Sequence, residues 1–262
     1  VDNIEIFQID AFTDKIFHGN PAAVCLLTNW LNDELMQAIA AENNLSETAF
    51  VLENSAGFFI RWFTPNGEVS LCGHATLAAG FALLELGICT GDVVYFHSLS
   101  GILSVERKKD RYVLDLPQLN YSKLECAETI SLLINQPVVA AYESDLDYLC
   151  LLENELHVEE AQIDFINLKK RPKRGLIITA ASSTADFYSR CFYPKHGILE
   201  DPVTGSAHCV LTPFWSHRLN KRSVHGVQGL QRKGELFCEL NNEDRVSLFG
   251  SCRWYSKGHL LL

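Results

Sequence analysis

Apolar residues along this chain recur at two spacings, and the two spacings alternate. A helical period runs through Asp33–Asn43 and is followed by an apolar run at 48–52 and a β-branched, aromatic stretch at Gly57–Thr64. Leu77, Phe81 and Leu84, with Ala82 beside Gly80, predict a buried helix over 75–86. Three β-rich segments follow at 93–98, 102–107 and 112–116, each ended by polar turn residues. The second half shows the same order. A helical stretch near 159–170 precedes strands at 176–180 and 187–193. A helix then runs from Gly205-Ser206 to about Arg218, with strands near 235–240 and 245–250. Polar loops at 108–110 and 241–244 read as matching hairpin turns.

A sequence repeat coincides with this repeated order. Arg61-Trp62-Phe63-Thr64-Pro65 leads into Cys72-Gly73-His74-Ala75, and Arg190-Cys191-Phe192-Tyr193-Pro194 leads into Thr204-Gly205-Ser206-Ala207. The shared pattern is R-x-F-x-P, a loop, then G-x-A opening a helix. It predicts two related halves, 1–117 and 118–262, with the last residues returning to the first half. Glu47 and the Cys72-Gly73-His74 helix start fall in the first half, and Asp201 to Ser206 in the second.

Composition narrows the function classes. A net charge of −10 with no long basic run argues against nucleic acid or an anionic membrane as partner. No apolar stretch reaches the roughly 18–20 residues of a membrane span, and the first residues lack the basic and apolar regions of a signal peptide. Nine cysteines are scattered singly without a Cys-x-x-Cys pair. Neither a disulfide framework nor a tetrahedral metal set is signalled, although His208-Cys209 and Cys72-Gly73-His74 place potential ligands close together. The expected compartment is the cytoplasm, with no metal.

The candidate chemistry sits at the two helix starts. A glycine followed by a small residue leaves backbone N–H groups free, and with the helix dipole these favour an anion such as a carboxylate. Two such starts, at Gly73 and Gly205, predict that a small carboxylic acid is held between the halves. Asp201, followed by Pro202, is either an acid/base group or a cap of its own turn, and Ser206 can donate to a substrate oxygen. Glu47 follows a helix end and opens an apolar strand. Partial desolvation there would raise its pKa toward general-base use, while spacing alone favours a solvated turn glutamate. His74, at a helix N-terminus, is expected to stay neutral and to orient rather than store protons.

Five blocks of sequence resemble the signatures of the phenazine-biosynthesis-like (PhzF-like) family. They are Gln8-Ile9-Asp10-Ala11-Phe12, Gly19-Asn20-Pro21-Ala22-Ala23-Val24, Leu45-Ser46-Glu47-Thr48-Ala49-Phe50, Cys72-Gly73-His74-Ala75-Thr76 and the run from Glu200 to Ala207. The resemblance covers essentially the whole chain. It implies an α+β, diaminopimelate-epimerase-like fold: two pseudo-symmetric halves, each a barrel-like sheet around a central helix. It also implies a homodimer and no organic or metal cofactor.

The best-known member of that family isomerises trans-2,3-dihydro-3-hydroxyanthranilate. By resemblance Glu47 is the acid/base, and His74, Asp201 and Ser206 bind and orient substrate. Gly73 and Gly205, with Thr204, hold its carboxylate. Two departures bear on substrate: the stretch from Gln228 to Leu236 differs from the family's usual Q-x-S-x-R-G-G-E-L, and the segment from Pro117 to Arg171 is short. Two alternatives stay open. One is an epimerase or dehydratase using Cys72 and Thr204, which occupy equivalent places in the repeat, and the other is a non-catalytic binding module.

Overall fold

A computed structural model describes residues 3–262. The chain folds as two compact units. The first closes at Asp115 and takes back Leu248–Leu262, and the second is Leu116–Ser247.

In the first unit the elements run β1 (Ile4–Ala11), β2 (Asn20–Leu27), α1 (Asp33–Asn43), β3 (Glu47–Asn54), β4 (Gly57–Thr64), β5 (Gly67–Val69), α2 (Gly73–Glu85), β6 (Val93–Ser98), β7 (Gly101–Lys108) and β8 (Arg111–Pro117). Antiparallel ladders join β1 to β2, β3 to β4, β6 to β7 and β7 to β8. Two parallel ladders interrupt them: β2 with β3 across α1, and β4 with β6 across β5 and α2. The C-terminal strand Cys252–Leu260 pairs antiparallel with β1.

The second unit repeats this scheme. Its elements are β9 (Tyr121–Lys123), α3 (Glu128–Ser131), β10 (Val138–Ser144), β11 (Asp147–Leu152), α4 (Glu155–Glu160), α5 (Phe165–Lys169), β12 (Gly175–Ala181), β13 (Phe187–Tyr193), β14 (Ile198–Asp201), α6 (Gly205–Leu219), β15 (Ser223–Gln228) and β16 (Gly234–Leu240). After it come β17 (Arg245–Gly250) and the C-terminal strand, β18. Here β11 runs parallel to β12 across α4 and α5, and β13 runs parallel to β15 across β14 and α6. β10–β11, β12–β13 and β15–β16 are antiparallel.

α2 and α6 are the central helices. Every residue of α2 from Gly73 to Leu84 is buried, the mark of a helix enclosed on all sides rather than lying on a surface. It contacts β1, β2, β3, β6, β7 and β18. A Cβ on Gly80 would come within 2.4 Å of Val105 Cβ, so glycine is what lets α2 approach β7 this closely. α6 contains Pro213, which cannot donate to the carbonyl of Cys209. That carbonyl instead accepts from the backbone N–H of Leu119 at 2.9 Å, so the orphan created by the proline ties the helix to the segment before β9. The first unit's core includes Met36, Ile39, Phe50, Leu52 and Phe63. Ile130, Cys150, Leu176, Ile178, Tyr188 and Phe192 belong to the core of the second.

One expected element differs. The helical stretch near 159–170 is two short helices, α4 and α5, broken at Ala161, which is extended (φ −60°, ψ 130°). Asp164 then caps α5 by accepting from the N–H of Asn167 at 3.0 Å. Between them Ile163 bridges Ile134, and Asn135 accepts from Gln162 N–H at 2.7 Å. A side-chain cap and a long-range bridge outcompete continuation of a helix that carries no strong apolar stripe.

Candidate active site

The two R-x-F-x-P repeats anchor the loops that deliver the central helices. Arg61 on β4 grips Glu68 on β5 through Nε and Nη2 at 2.6 and 2.7 Å, and reaches Asp33 at 2.9 Å. Arg190 on β13 grips Glu200 on β14 side-on at 2.9 and 2.8 Å. Its Nη1 donates to the carbonyls of Val158, Glu159 and Ala161, each at 3.0 Å. Forked guanidinium–carboxylate pairs fix both position and orientation. Glu200 is thereby a structural partner, and the group left at the helix start is Asp201.

Neither central helix is capped by the side chain at its N-cap, Cys72 for α2 and Thr204 for α6, and neither has an acidic residue in its first turn. Asn32, Asn154 and Asp164 do cap α1, α4 and α5. In both central helices the fourth residue bonds back to the N-cap carbonyl instead: Thr76 Oγ1 donates to Cys72 O at 2.5 Å, and His208 Nδ1 donates to Thr204 O at 2.9 Å.

In the first unit Glu47, Cys72 and His74 come together, with a carboxylate oxygen, a sulfur and a ring nitrogen all within 4.8 Å of one another. Glu47 opens β3 opposite Ala22, directly after α1 ends on left-handed Asn44. Its side chain is 13 % exposed and its Oε2 lies 3.3 Å from His74 Nε2, a close approach that lacks the alignment of a full hydrogen bond. The ring is fixed from its other side. Asn20, fully buried, donates from Nδ2 to His74 Nδ1 at 3.2 Å, and its Oδ1 accepts from Ser46 Oγ at 3.4 Å. With the amide in this orientation Nδ1 accepts, and the imidazole proton sits on Nε2, on the side of Glu47. Burial pushes His74 down to about 3, so it is neutral at pH 7.

Cys72 Sγ lies 3.6 Å from the same Nδ1. Carboxylate, thiol and imidazole are ligand types for a soft divalent metal. As arranged, however, the ring nitrogen nearest the thiol already meets Asn20, so the trio does not present three free ligand atoms.

In the second unit Gln228 holds Asp201 and Thr204, and Arg174 holds Ser206. Thr204 Oγ1 donates to Asp201 at 2.5 Å. Gln228, fully buried, closes the loop from the other side. Its Oε1 accepts from Thr204 N–H at 2.9 Å, and its Nε2 donates to Asp201 O at 2.9 Å and Thr204 Oγ1 at 3.0 Å. Gly229 holds φ +96°, and a Cβ there would lie 2.5 Å from Pro202 O. Gln228 and Gly229, the first two residues of the stretch from Gln228 to Leu236, lie against the helix-start loop. Arg174, just before β12, donates to Ser206 Oγ at 3.1 Å while paired to Asp147. Asn20, Gln228 and Arg174 are thus the polar groups that hold the candidate residues. Asn20 lay inside a resembling block and Gln228 opened the stretch compared with the family's Q-x-S-x-R-G-G-E-L, each without an assigned role, and no local pattern pointed to Arg174.

Comparison with known proteins agrees with this architecture. The family model described as phenazine biosynthesis-like protein matches residues 9–258. An uncharacterized isomerase of Pseudomonas aeruginosa is 46 % identical over 259 residues, covering 99 % of each chain. The crystal structure of a PhzF-family phenazine biosynthesis protein from Enterococcus faecalis superposes with a TM-score of 0.94 at 39 % identity, covering 100 % of both chains. A hydroxyproline epimerase of Agrobacterium vitis shares the fold alone, with a TM-score of 0.64 at 9 % identity over 98 % of this chain and 92 % of its own. On the diaminopimelate-epimerase-like fold and across nearly its whole length, the chain belongs to the phenazine-biosynthesis-like family and is an isomerase.

Proposed function

We propose that the chain isomerises a small carboxylic acid by moving one proton between two of its carbons, with Glu47 acting first as base and then as acid. The observation that carries this reading is the placement of Glu47: a largely buried carboxylate 3.3 Å from a neutral histidine whose other ring nitrogen meets Asn20. A carboxyl group that returns the proton it removes needs no second base, provided the substrate is held still while it swings. His74 Nε2–H is the group that steadies the carboxylate, or an oxygen on which charge develops. The uncapped amides at Gly73 and Gly205, with Ser206, Thr204 and Asp201, take the substrate's carboxylate and polar substituents.

The rival reading pairs Cys72 with Thr204. Thr204's hydroxyl spends its proton on Asp201 and accepts from Gln228, which leaves it poorly placed to serve as a base. This favours the single-carboxylate mechanism.

The test is a thermal-shift screen of small aromatic and cyclic carboxylic acids, with hydrogen–deuterium exchange of each stabilising acid followed by NMR. Solvent deuterium should enter one carbon-bound position with wild-type protein and fail to enter with Glu47→Gln. Exchange at an equal rate in Glu47→Gln would end the proposal.

A further inference from the structure

We infer that Arg174, held by Asp147, is a positioning residue for the candidate site: it fixes Ser206 so that the serine proton is free for a bound acid. This rests on the reading of Ser206 as a substrate contact.

Asp147 opens β11, and its side chain is fully buried. It receives Arg174 side-on, from Nε at 3.1 Å and from Nη2 at 2.6 Å. The arginine's backbone is anchored too, its N–H donating to Leu146 O at 2.8 Å. The guanidinium lies over the Tyr193 ring at 4.7 Å. That ring reaches the place because residue 175 is glycine; a Cβ there would sit 2.3 Å from a Tyr193 ring carbon. β11, β12 and β13 therefore converge at one guanidinium. A buried carboxylate pair of this kind contributes little net stability against an apolar replacement, so stability alone does not account for the arrangement.

What the pair delivers is one N–H, from Nη2 to Ser206 Oγ at 3.1 Å. A serine hydroxyl has one proton and two acceptor sites. With an acceptor site taken by a donor that has no lone pair to offer, the hydroxyl cannot give its proton back to Arg174. The proton is left for another acceptor, at the second residue of a helix whose N-cap side chain makes no cap bond. Asp147 largely balances the guanidinium's charge, so the effect on a ligand is one of orientation.

The experiment uses full-length protein and 3-hydroxyanthranilate and benzoate as probes, measured by isothermal titration. The variants are Ser206→Ala, Arg174→Met combined with Asp147→Asn so that no buried charge is stranded, and all three changes together. One charge-assisted hydrogen bond corresponds to roughly ten- to hundred-fold in affinity. Ser206→Ala and the Arg174/Asp147 variant should each weaken binding by about ten-fold or more, and the combined variant should be no weaker than the poorer of the two. Losses that multiply, or an Arg174/Asp147 variant that binds like wild type, would overturn the assignment.

Crystal structures of wild type and the Arg174/Asp147 variant give a readout that needs no ligand. Ser206 should occupy one rotamer in the first and several in the second. An unchanged single rotamer overturns the positioning role. If wild type binds neither probe, the substrate class in the proposed function is wrong, and the rotamer comparison still decides this inference.

Discussion

Acid should destabilise this protein through two histidines that have no room for a second proton. Burial takes His74 down to about 3 and His208 down to about 4, against about 6.5 for an unfolded histidine. Since both values fall on folding, the unfolded chain binds the extra proton between pH 6.5 and 4. The stability present above pH 6.5 is therefore lost as pH falls through that window. At pH 5 the medium is about 1.5 pH units below the unfolded value and still above both folded ones, so each site costs about 2 kcal/mol.

His208 isolates the effect, because its Nδ1 already donates to Thr204 O and its buried Nε2 finds no aligned partner among the described residues. His208→Thr keeps a donor to that carbonyl, as Thr76 does at the equivalent place in α2. It leaves a cavity costing on the order of 1–3 kcal/mol, and that cost does not depend on pH. Urea unfolding followed by tryptophan fluorescence at pH 7, 6 and 5 gives the comparison. The stability lost between pH 7 and 5 should be about 2 kcal/mol smaller in His208→Thr than in wild type. Equal losses would show that the folded protein protonates His208 readily and that the burial argument fails.

Gly80→Ala should destabilise the first unit by about 1–3 kcal/mol, because overpacking against Val105 outweighs the ~1 kcal/mol gain in helix propensity. Adding Val105→Ala should recover part of that loss in urea unfolding, and simple additivity would refute the contact. Gln228→Ala removes three hydrogen bonds to the Asp201–Thr204 loop and should cost about 2–4 kcal/mol. A Tm equal to wild type would show that water replaces it. Under the proposed mechanism, in which Glu47 alone carries the proton, Cys72→Ala should keep deuterium exchange within about three-fold of wild type; abolished exchange would reinstate a thiol mechanism.

The parts of the fold that were legible in sequence are those with a strong local cause. Asp33–Asn43 carries an asparagine cap before it and a left-handed asparagine after it. The helices at Gly73 and Gly205 announce themselves by a repeated motif. β10 and β11 were not read. β10 is mostly half-buried, with Val139 exposed and Ala141 and Ser144 buried, and β11 is buried at every residue, so neither gives a clean period of two. The candidate site divides on the same principle. Glu47, His74, Asp201 and Ser206 sit in short motifs, whereas the residues that orient them act over distance. Asn20 is 54 residues from His74, Gln228 is 24 from Thr204, and Arg174 is 32 from Ser206. No window on the sequence contains both members of such a pair.

The repeat also explains why the two helix starts differ in chemistry while agreeing in backbone. Arg61 with Glu68 and Arg190 with Glu200 do the same work, as do the back-bonds of Thr76 and His208. Those are the interactions that fix the loop before each helix and hold its N-cap carbonyl, and both halves retain them. The side chains at the N-cap and second helix position carry no such duty and are free to diverge. Cys72 faces Thr204 in the alignment of the halves, and His74 faces Ser206. An arrangement with matched bases would favour removing a proton from one face and delivering it to the other. A single carboxylate at Glu47 with a neutral imidazole beside it suits the proposed chemistry, in which one group both takes and returns the proton.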